Sequence, residues 1–415
     1  MLRMALFAQG LLYQCLLWLV LPLIPLRLFV RGLKERGYWR HVSERLGGGT
    51  HLDGIDVWLH AVSVGEMRAA APLVAHFAAQ GKRLLITCMT PAGRATAQQI
   101  FGSQAHIRYL PYDYAWAVRR FLQRVQPARG IIMETELWPN LVRESARMVV
   151  PLYLVNARLS EKSANAYRKL SALTRDVLGR FSLIAAQTPE DAERLCALGA
   201  KRVEVTGNLK FDVEPPAEQL DMGARFREYI GQRPVWLAAS TREGEEKQIL
   251  QAFKFAPKEV LLMLVPRHPQ RFDAVAGLIR DAGFEMQRRS ENTPVRIATQ
   301  VWLGDSLGEL FAYYAAADCA LIGGSLLPYG GQNLIEACAV GCPVLIGPHT
   351  ENFRQATLDA IESGAALRVP DAQAWADQAM RLTQDESARK QMGEAGKQFA
   401  AAHRGAAANV IALLN

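Results

Sequence analysis

Two α/β domains in series, each a parallel sheet covered by helices, are the fold class this sequence predicts. Three observations lead there. The chain has 415 residues, long for one domain and comfortable for two. Short apolar runs alternate with amphipathic stretches, the pattern of strand–helix–strand units. That alternation pauses once, around "FDVEPPAEQLDMG", where Pro215 and Pro216 among polar neighbours read as an interdomain linker, and then resumes.

The first element belongs to neither sheet. From Met4 to Leu26 no residue is charged, a length that can cross a bilayer. It is long for a cleaved signal peptide and no A-x-A site follows. A basic flank comes next, with Arg27, Arg31, Lys34, Arg36, Arg40 and Arg45, which marks the cytoplasmic side and attracts anionic headgroups. Residues 1–30 are therefore expected to be a single membrane anchor. Pro22 and Pro25 leave open a segment embedded from one side. The bulk of the chain belongs on the cytoplasmic face.

In the first domain the strand candidates are Asp56–His60, Arg83–Cys88, Ile107–Leu110, Gly130–Met133, Leu152–Val155, Leu183–Ala186 and Val203–Thr206. Helices fit at Glu66–Ala79, Ala92–Phe101 and Trp116–Val125. The second series has strands at Val235–Ala239, Val260–Val265, Val301–Leu303, Cys319–Ile322 and Pro343–Ile346. Its helices fit at Glu243–Phe255, Arg271–Asp281, Leu307–Ala316 and Asn333–Ala339, and the tail from Asp371 reads as helical. Ligands are expected at the carboxyl ends of the strands and in a cleft between the domains.

Composition narrows the chemistry. Half the residues are hydrophobic and 21% are charged, ordinary for a globular protein, but the formal net charge is +8. A basic excess points to an anionic partner: nucleic acid, anionic lipid or a phosphorylated substrate. Nucleic acid is disfavoured, since no Lys/Arg run is interleaved with aromatics and no zinc-finger spacing occurs. The six cysteines are scattered without a C-x-x-C pair and read as free thiols. Neither a G-x-G-x-x-G after the first strand nor a Walker A pattern is present, which disfavours dinucleotide and P-loop chemistry.

Several strings carry candidate chemistry. "HAVSVGE" turns from a strand into a helix and sets Glu66 in its first turn, where an anion would usually bind; the helix field favours the charged carboxylate there. "METELWPNL" sets Glu134 and Glu136 at a strand exit, suited to sugar hydroxyls, or a mildly repelling exposed pair. "NARLSEKS" supplies Arg158, Ser160 and Lys162, and "TGNLKFD" supplies Asn208 and Lys210; these cations suit phosphates, or are surface charges. "LVPRHPQRF" presents Arg267 and His268 at a strand end, where Arg can grip phosphate or carboxylate in bidentate fashion. "GDSLGEL" offers Asp305 or Ser306 as an N-cap with Leu307, Gly308 and Glu309 in the first turn. "GGSLLPYGGQNLIEA" combines Gly323, Gly324 and Ser325 with a second turn at Gly330 and Gly331. A helix then carries Asn333, Leu334, Ile335 and Glu336, and the whole string reads as a nucleotide-sugar site.

In this order behind an apolar N-terminus, these strings resemble the Kdo transferase family, which transfers 3-deoxy-D-manno-oct-2-ulosonic acid (Kdo) from CMP-Kdo to a lipid A precursor. The resemblance covers nearly the whole chain. It implies the GT-B fold, two Rossmann-like domains facing a cleft behind an N-terminal membrane-anchoring helix. A lipid-acceptor domain would span residues 31–212 and a CMP-Kdo domain residues 213–415, its last helix packing back on the first. Carried onto this sequence, the general base falls on Glu66. Donor contacts fall on Arg267, His268, Leu307–Glu309 and Asn333–Glu336, with Lys210, Gly324 and Ser325 added as candidates for the departing phosphate. Acceptor contacts fall among Glu134, Glu136, Arg158 and Ser160. The family location is the cytoplasmic face of the inner membrane, in lipopolysaccharide biosynthesis.

One base in line with the breaking bond implies inversion without a covalent intermediate. No D-x-D sits at a strand exit, so neither metal nor cofactor is expected beyond the donor itself. Two rival readings are compatible with the same strings. A nucleotide-sugar epimerase or hydrolase of the same fold needs no anchor. A catalytically silent membrane-tethered binding protein needs no functional carboxylate.

Overall fold

The computed structural model describes residues 2–52 and 54–415, the side chains of Leu2, Arg3 and Lys34 excepted. Met1 of the expected anchor and the Lys34 side chain of its basic flank thus lie outside the described residues. The chain divides into two units, Met1–Asp212 with Gly405–Asn415, and Val213–Arg404.

The first unit holds seven parallel strands, β1 (Val57–His60), β2 (Leu84–Cys88), β3 (Ala105–Tyr109), β4 (Arg129–Met133), β5 (Leu152–Ala157), β6 (Leu183–Ala186) and β7 (Val203–Val205). Their order is β3-β2-β1-β4-β5-β6-β7. Every residue of β1 is buried, because helices cover both faces of the sheet. Alternation then splits the core in two. Trp58 packs with Leu85, Phe121, Ile132 and Leu154 on one face, while Val57 and Leu59 pack with Leu73, Phe77, Ile86 and Ile131 on the other.

The second unit repeats the plan with β8 (Val235–Thr241), β9 (Leu261–Pro266), β10 (Met286–Arg288), β11 (Val301–Leu303), β12 (Cys319–Ile322), β13 (Val344–Ile346) and β14 (Ala366–Arg368). The order is β10-β11-β9-β8-β12-β13-β14, all parallel. Strands β10 and β14 were not expected from sequence. Each is a three-residue edge strand ending in Arg, too short and too polar to register as an apolar run.

Three further expectations need correction. The single helix expected at Glu66–Ala79 is two, Val64–Ala69 and Ala71–Ala79, because Pro72 cannot donate to the preceding turn. The string "FDVEPPAEQLDMG" read as a linker is helical from Ala217 onward: Ala217–Ile230 starts directly after Pro216, shortly past the boundary between the units. The N-terminal segment is not one anchoring helix either. Among the described residues no single helix is long and apolar enough to cross a membrane. The pair Met4–Val20 and Leu23–Leu33 has that length and composition only jointly, and it bends by 52° at the break beside Pro22.

That N-terminal pair has two different sides. One side binds the first unit through polar groups: Tyr13 donates to Asp113 Oδ2 (2.6 Å), Gln14 to Asn140 Oδ1 (2.6 Å), and Gln9 Oε1 accepts from the Leu173 amide (2.9 Å). The other side exposes Phe7, Leu11, Leu12, Leu16, Trp18, Leu19, Leu23, Leu26, Phe29 and Leu33.

At the far end of the chain, the helix Ala406–Leu414 belongs to the first unit. Ala406, Val410 and Leu414 join the cluster of Leu73, Phe77 and Leu209. Asp212 fastens it there, accepting from the amides of Gly405 (2.6 Å) and Ala407. All six cysteines are free, four of them buried.

Candidate active site

In the first unit the chain runs from β1 outward to β2 and β3, then returns to β4 on the other side of β1. The gap between β1 and β4 is therefore a switch point, where loops part and leave a crevice at the strand ends. Glu66 follows β1, and Glu134 and Glu136 follow β4, so the sequence delivers three carboxylates to that crevice.

Glu66 sits in a capping box. Its amide donates to Ser63 Oγ (3.2 Å), and its carboxylate accepts from the amides of Val62 (2.8 Å) and Ser63 (3.2 Å). The side chain is buried, and burial pushes its pKa above the ordinary carboxylate value; the two amides pull down, and the charge of Glu134 pushes up again. The expectation that the helix start would chiefly favour the charged form is corrected on this point. Desolvation outweighs the N–H groups, and Glu66 is a stronger base than an exposed carboxylate. Each of its oxygens still has a lone pair for a proton.

Glu136 is half-buried and its pKa is raised to about 7, by burial first and then by the charges of Glu66 and Glu134. Glu134 has a left-handed backbone, φ 57°, uncommon for a non-glycine residue and a mark of local strain. Two bonds hold it there: its amide donates to Val155 O (2.8 Å), and Lys210 Nζ donates to its Oε1 (2.6 Å). Lys210, expected among donor contacts, thus stands in the first unit beside the acids. A Cβ placed on Gly65 would come within 3.9 Å of Lys210 Cε.

Arg158 is exposed and joined to the acid loop through Thr135, whose Oγ1 accepts from the Arg158 amide (3.1 Å). Ser160 serves the local structure instead, capping the helix Glu161–Arg168 by accepting from the Ser163 amide (3.2 Å). Asn156 went unnoticed in the sequence. It is fully buried with φ 58°, and its Oδ1 accepts from the Leu209 amide (2.9 Å), which seats the next residue, Lys210, against Glu134. The only signal in the sequence was its place at the end of a strand.

The second unit has its own switch point between β8 and β12. The buried carboxylate of Glu245 spans it, accepting from the amides of Arg242 (2.8 Å), Gly324 (2.6 Å) and Leu326 (2.9 Å). Glu246 alongside takes Thr241 Oγ1 (2.8 Å) and a two-armed contact from Arg271 (2.5 and 3.0 Å). The two loops around Gly324 and Arg242 are thus pinned from beneath. Gly324 has φ 70°, whereas Gly323 is needed for packing, since a Cβ there would lie 2.4 Å from Ser240 O.

Around these loops the chain gathers cations. Arg242 lies over the Tyr329 ring (4.8 Å) and donates from Nη1 to His268 Nε2 (2.7 Å). Since guanidinium only donates, His268 is the neutral tautomer with its proton on Nδ1. Burial lowers its pKa, and the charges of Arg242, Arg267 and Arg271 lower it further. Arg267 follows β9 directly, its amide donating to Thr241 O (3.0 Å). Such a cluster suits an anionic ligand. Arg242 was not singled out in the sequence because "STREGEE" resembles an ordinary charged loop.

The remaining donor-side candidates divide. Ser325 is fully buried and its hydroxyl is spent inside, donating to Ile322 O and accepting from the Gly347 amide (2.8 Å). Leu334 and Ile335 are fully buried as well. The helix expected from Asn333 is only Ile335–Ala339, with Leu334 as its N-cap; Asn333 precedes it, its Oδ1 accepting from the Ile335 amide (3.0 Å) and its Nδ2 donating to Glu336 Oε1 (3.2 Å). Leu307–Glu309 precede their helix, Leu310–Ala316, instead of forming its first turn. There Gly308 has φ 80°, Leu307 is exposed, and Glu309 is held by Ser306 (2.6 Å) and Arg289 (3.1 Å).

Known proteins share both units. Residues 33–213 match the family model described as 3-deoxy-D-manno-octulosonic-acid transferase (kdotransferase), and residues 240–399 match glycosyl transferases group 1. A 3-deoxy-D-manno-octulosonic acid transferase from Bordetella pertussis is 44% identical over 402 residues, 93% of this chain and 94% of that one. One from Haemophilus influenzae is 36% identical over 414 residues, 97% of each. Among solved structures, a glycosyltransferase from Rickettsia africae superposes with a TM-score of 0.59 at 11% identity, covering 88% of this chain and 97% of its own. UDP-GlcNAc 2-epimerase from Neisseria meningitidis gives 0.59 at 16%, covering 87% and 99%. At such identities these two establish the two-domain glycosyltransferase-type fold alone.

Proposed function

Because the chain belongs to the 3-deoxy-D-manno-octulosonic acid transferase family, a Kdo glycosyltransferase of lipopolysaccharide biosynthesis, we propose that it takes Kdo from CMP-Kdo and delivers it to lipid IVA with inversion, releasing CMP. The observation that carries the reading is the group of Glu66, Glu134 and Glu136 at the first unit's switch point, with Glu66 buried and its pKa raised. An acceptor hydroxyl must lose its proton as it attacks the anomeric carbon. A single buried carboxylate on a rigid turn supplies that base, and an inverting displacement needs no enzyme nucleophile.

Glu134, Glu136 and Arg158 would orient the sugar and phosphates of the acceptor. On the second unit, Arg242, Arg267 and His268 at the strand ends would hold the anionic donor. Charge accumulating on the CMP phosphate as the glycosidic bond breaks would be met by these guanidiniums and by the amides of the Gly324 turn. With cations of the chain itself so placed, the transfer step is taken to run without a metal. The exposed apolar side of the N-terminal helices, beside Arg27, Arg31, Arg36 and Arg40, would seat the enzyme on the cytoplasmic face of the inner membrane.

The deciding assay uses Glu66→Gln with CMP-Kdo and a tetraacylated lipid A precursor. A fall in kcat of about 10² to 10⁴-fold, the usual worth of a general base, is expected with donor KM preserved. Transfer at near the parental rate would remove Glu66 from the mechanism. The parental enzyme should keep its rate under excess chelator.

A further inference from the structure

Two residues on the polar side of the N-terminal helix Leu2–Val20, Tyr13 and Gln14, meet one particular part of the first unit. Tyr13 donates to Asp113, and the same buried carboxylate accepts from the amides of Asn140 (2.9 Å, on the Oδ2 that Tyr13 also uses) and Leu141 (2.7 Å, on Oδ1). Asn140 returns a bond to Asp113 O (2.5 Å), and its Oδ1 takes the Gln14 amide. Asn140 and Leu141 form the first turn of the helix Pro139–Arg147, whose N-cap is Trp138. That turn follows Glu134–Leu137 without a break, so the acid loop is fixed at one end by β4 and at the other by Asp113 and Asn140.

None of this is needed merely to hold an apolar helix in lipid. A tether would have used its exposed side and left the inner side apolar, whereas here Tyr13 and Gln14 spend their polar groups on Asp113 and Asn140, the pair that holds the far end of the loop carrying Glu136. The Tyr114 hydroxyl, one residue after Asp113, adds a third bond by donating to Leu17 O (2.7 Å).

We propose that Tyr13 and Gln14 are positioning residues for the acceptor site, setting the Glu134–Trp138 loop through Asp113 and Asn140, so that the membrane-facing helix is a working part of that site. This rests on the transferase reading above. Since neither residue touches the proposed reacting atoms, the effect is on alignment, to which a bound acceptor is sensitive.

The test uses full-length enzyme in anionic phospholipid vesicles, with CMP-Kdo and a tetraacylated acceptor. Tyr13→Phe keeps the ring and removes one donor, so it is expected to fold. Acceptor kcat/KM should fall about fivefold, the size one lost hydrogen bond gives, with donor KM unchanged and vesicle flotation as in the parent. Gln14→Leu should act in the same direction, and Gln14→Lys, which restores a donor, should recover most of the loss. In a Glu136→Gln background the Tyr13→Phe effect should shrink to less than about twofold, because coupled positions do not add. An equal loss in both backgrounds, no loss at all, or a loss that follows flotation would overturn the inference. Absence of Kdo transfer by the parental enzyme would instead overturn the transferase reading.

Discussion

Glu66 owes its place to three local choices: a strand that ends at His60, Ser63 as N-cap, and a carboxylate three residues later. All of these stand in "HAVSVGE", so the residue was legible. Its protonation was not, because the outcome depends on how much protein covers the side chain. The same holds for Glu136, whose pKa of about 7 against an ordinary 4.5 follows from burial and from two carboxylates brought in by the fold. A carboxyl with a raised folded-state pKa stabilises the fold below its unfolded value, and that contribution is lost as pH rises through the folded value. Glu136→Gln should therefore stabilise the enzyme above pH 7 and make no difference near pH 4. Discounted for partial exposure, the gain at pH 8 is of order 1–2 kcal/mol, to be read from urea unfolding at the two pH values. Asn156 and Arg242 show the opposite limit of legibility. Their roles come from a left-handed backbone and from a partner 26 positions away, neither of which leaves a mark in a single sequence.

At the scale of elements, buried central strands were read within a residue or two of their ends, because a doubly covered strand must be continuously apolar. Edge strands β10 and β14 and the helix Ala217–Ile230 escaped, since their polar surfaces look like loop. The turns proposed to carry the donor side depend on an acid that looks, in sequence, like ordinary helix surface. Glu245 satisfies three backbone amides in a site closed to water. Glu245→Ala would leave all three without acceptors, at about 1–3 kcal/mol for each buried group. Denaturant unfolding should show a loss of at least about 3 kcal/mol, and CMP binding by calorimetry should weaken with it. Glu245→Gln, which keeps acceptor capacity on one oxygen, should lose less on both measures.

For the whole molecule, the two-domain plan and the apolar start were visible in the sequence, while the bend at Pro22 and the two-sided character of the N-terminal helices were not. Helix sidedness follows from what packs against a helix, and Gln9, Tyr13 and Gln14 declare themselves only beside Leu173, Asp113 and Asn140. Arg27, Arg31, Arg36 and Arg40, exposed beside these helices, give this surface a measurable signature. Binding to vesicles should rise with their phosphatidylglycerol content, by about 1 kcal/mol per basic residue near the surface, and weaken between about 0.05 and about 0.5 M salt as screening shortens. Apolar insertion should leave a residue of binding at high salt, and flotation on neutral vesicles would measure it.

The clasp of Asp212 on Gly405 and Ala407 has a consequence in time. As the ribosome proceeds, the first sheet is complete by Val205, yet the groove over Leu73 and Phe77 stays open until Val410 and Leu414 have been made. In between, the 192 residues of the second unit, Val213–Arg404, must emerge. The half synthesised first is thus the half finished last. Until then a nascent chain carries an uncovered apolar strip, and a translation pause after residue 212 would prolong that state.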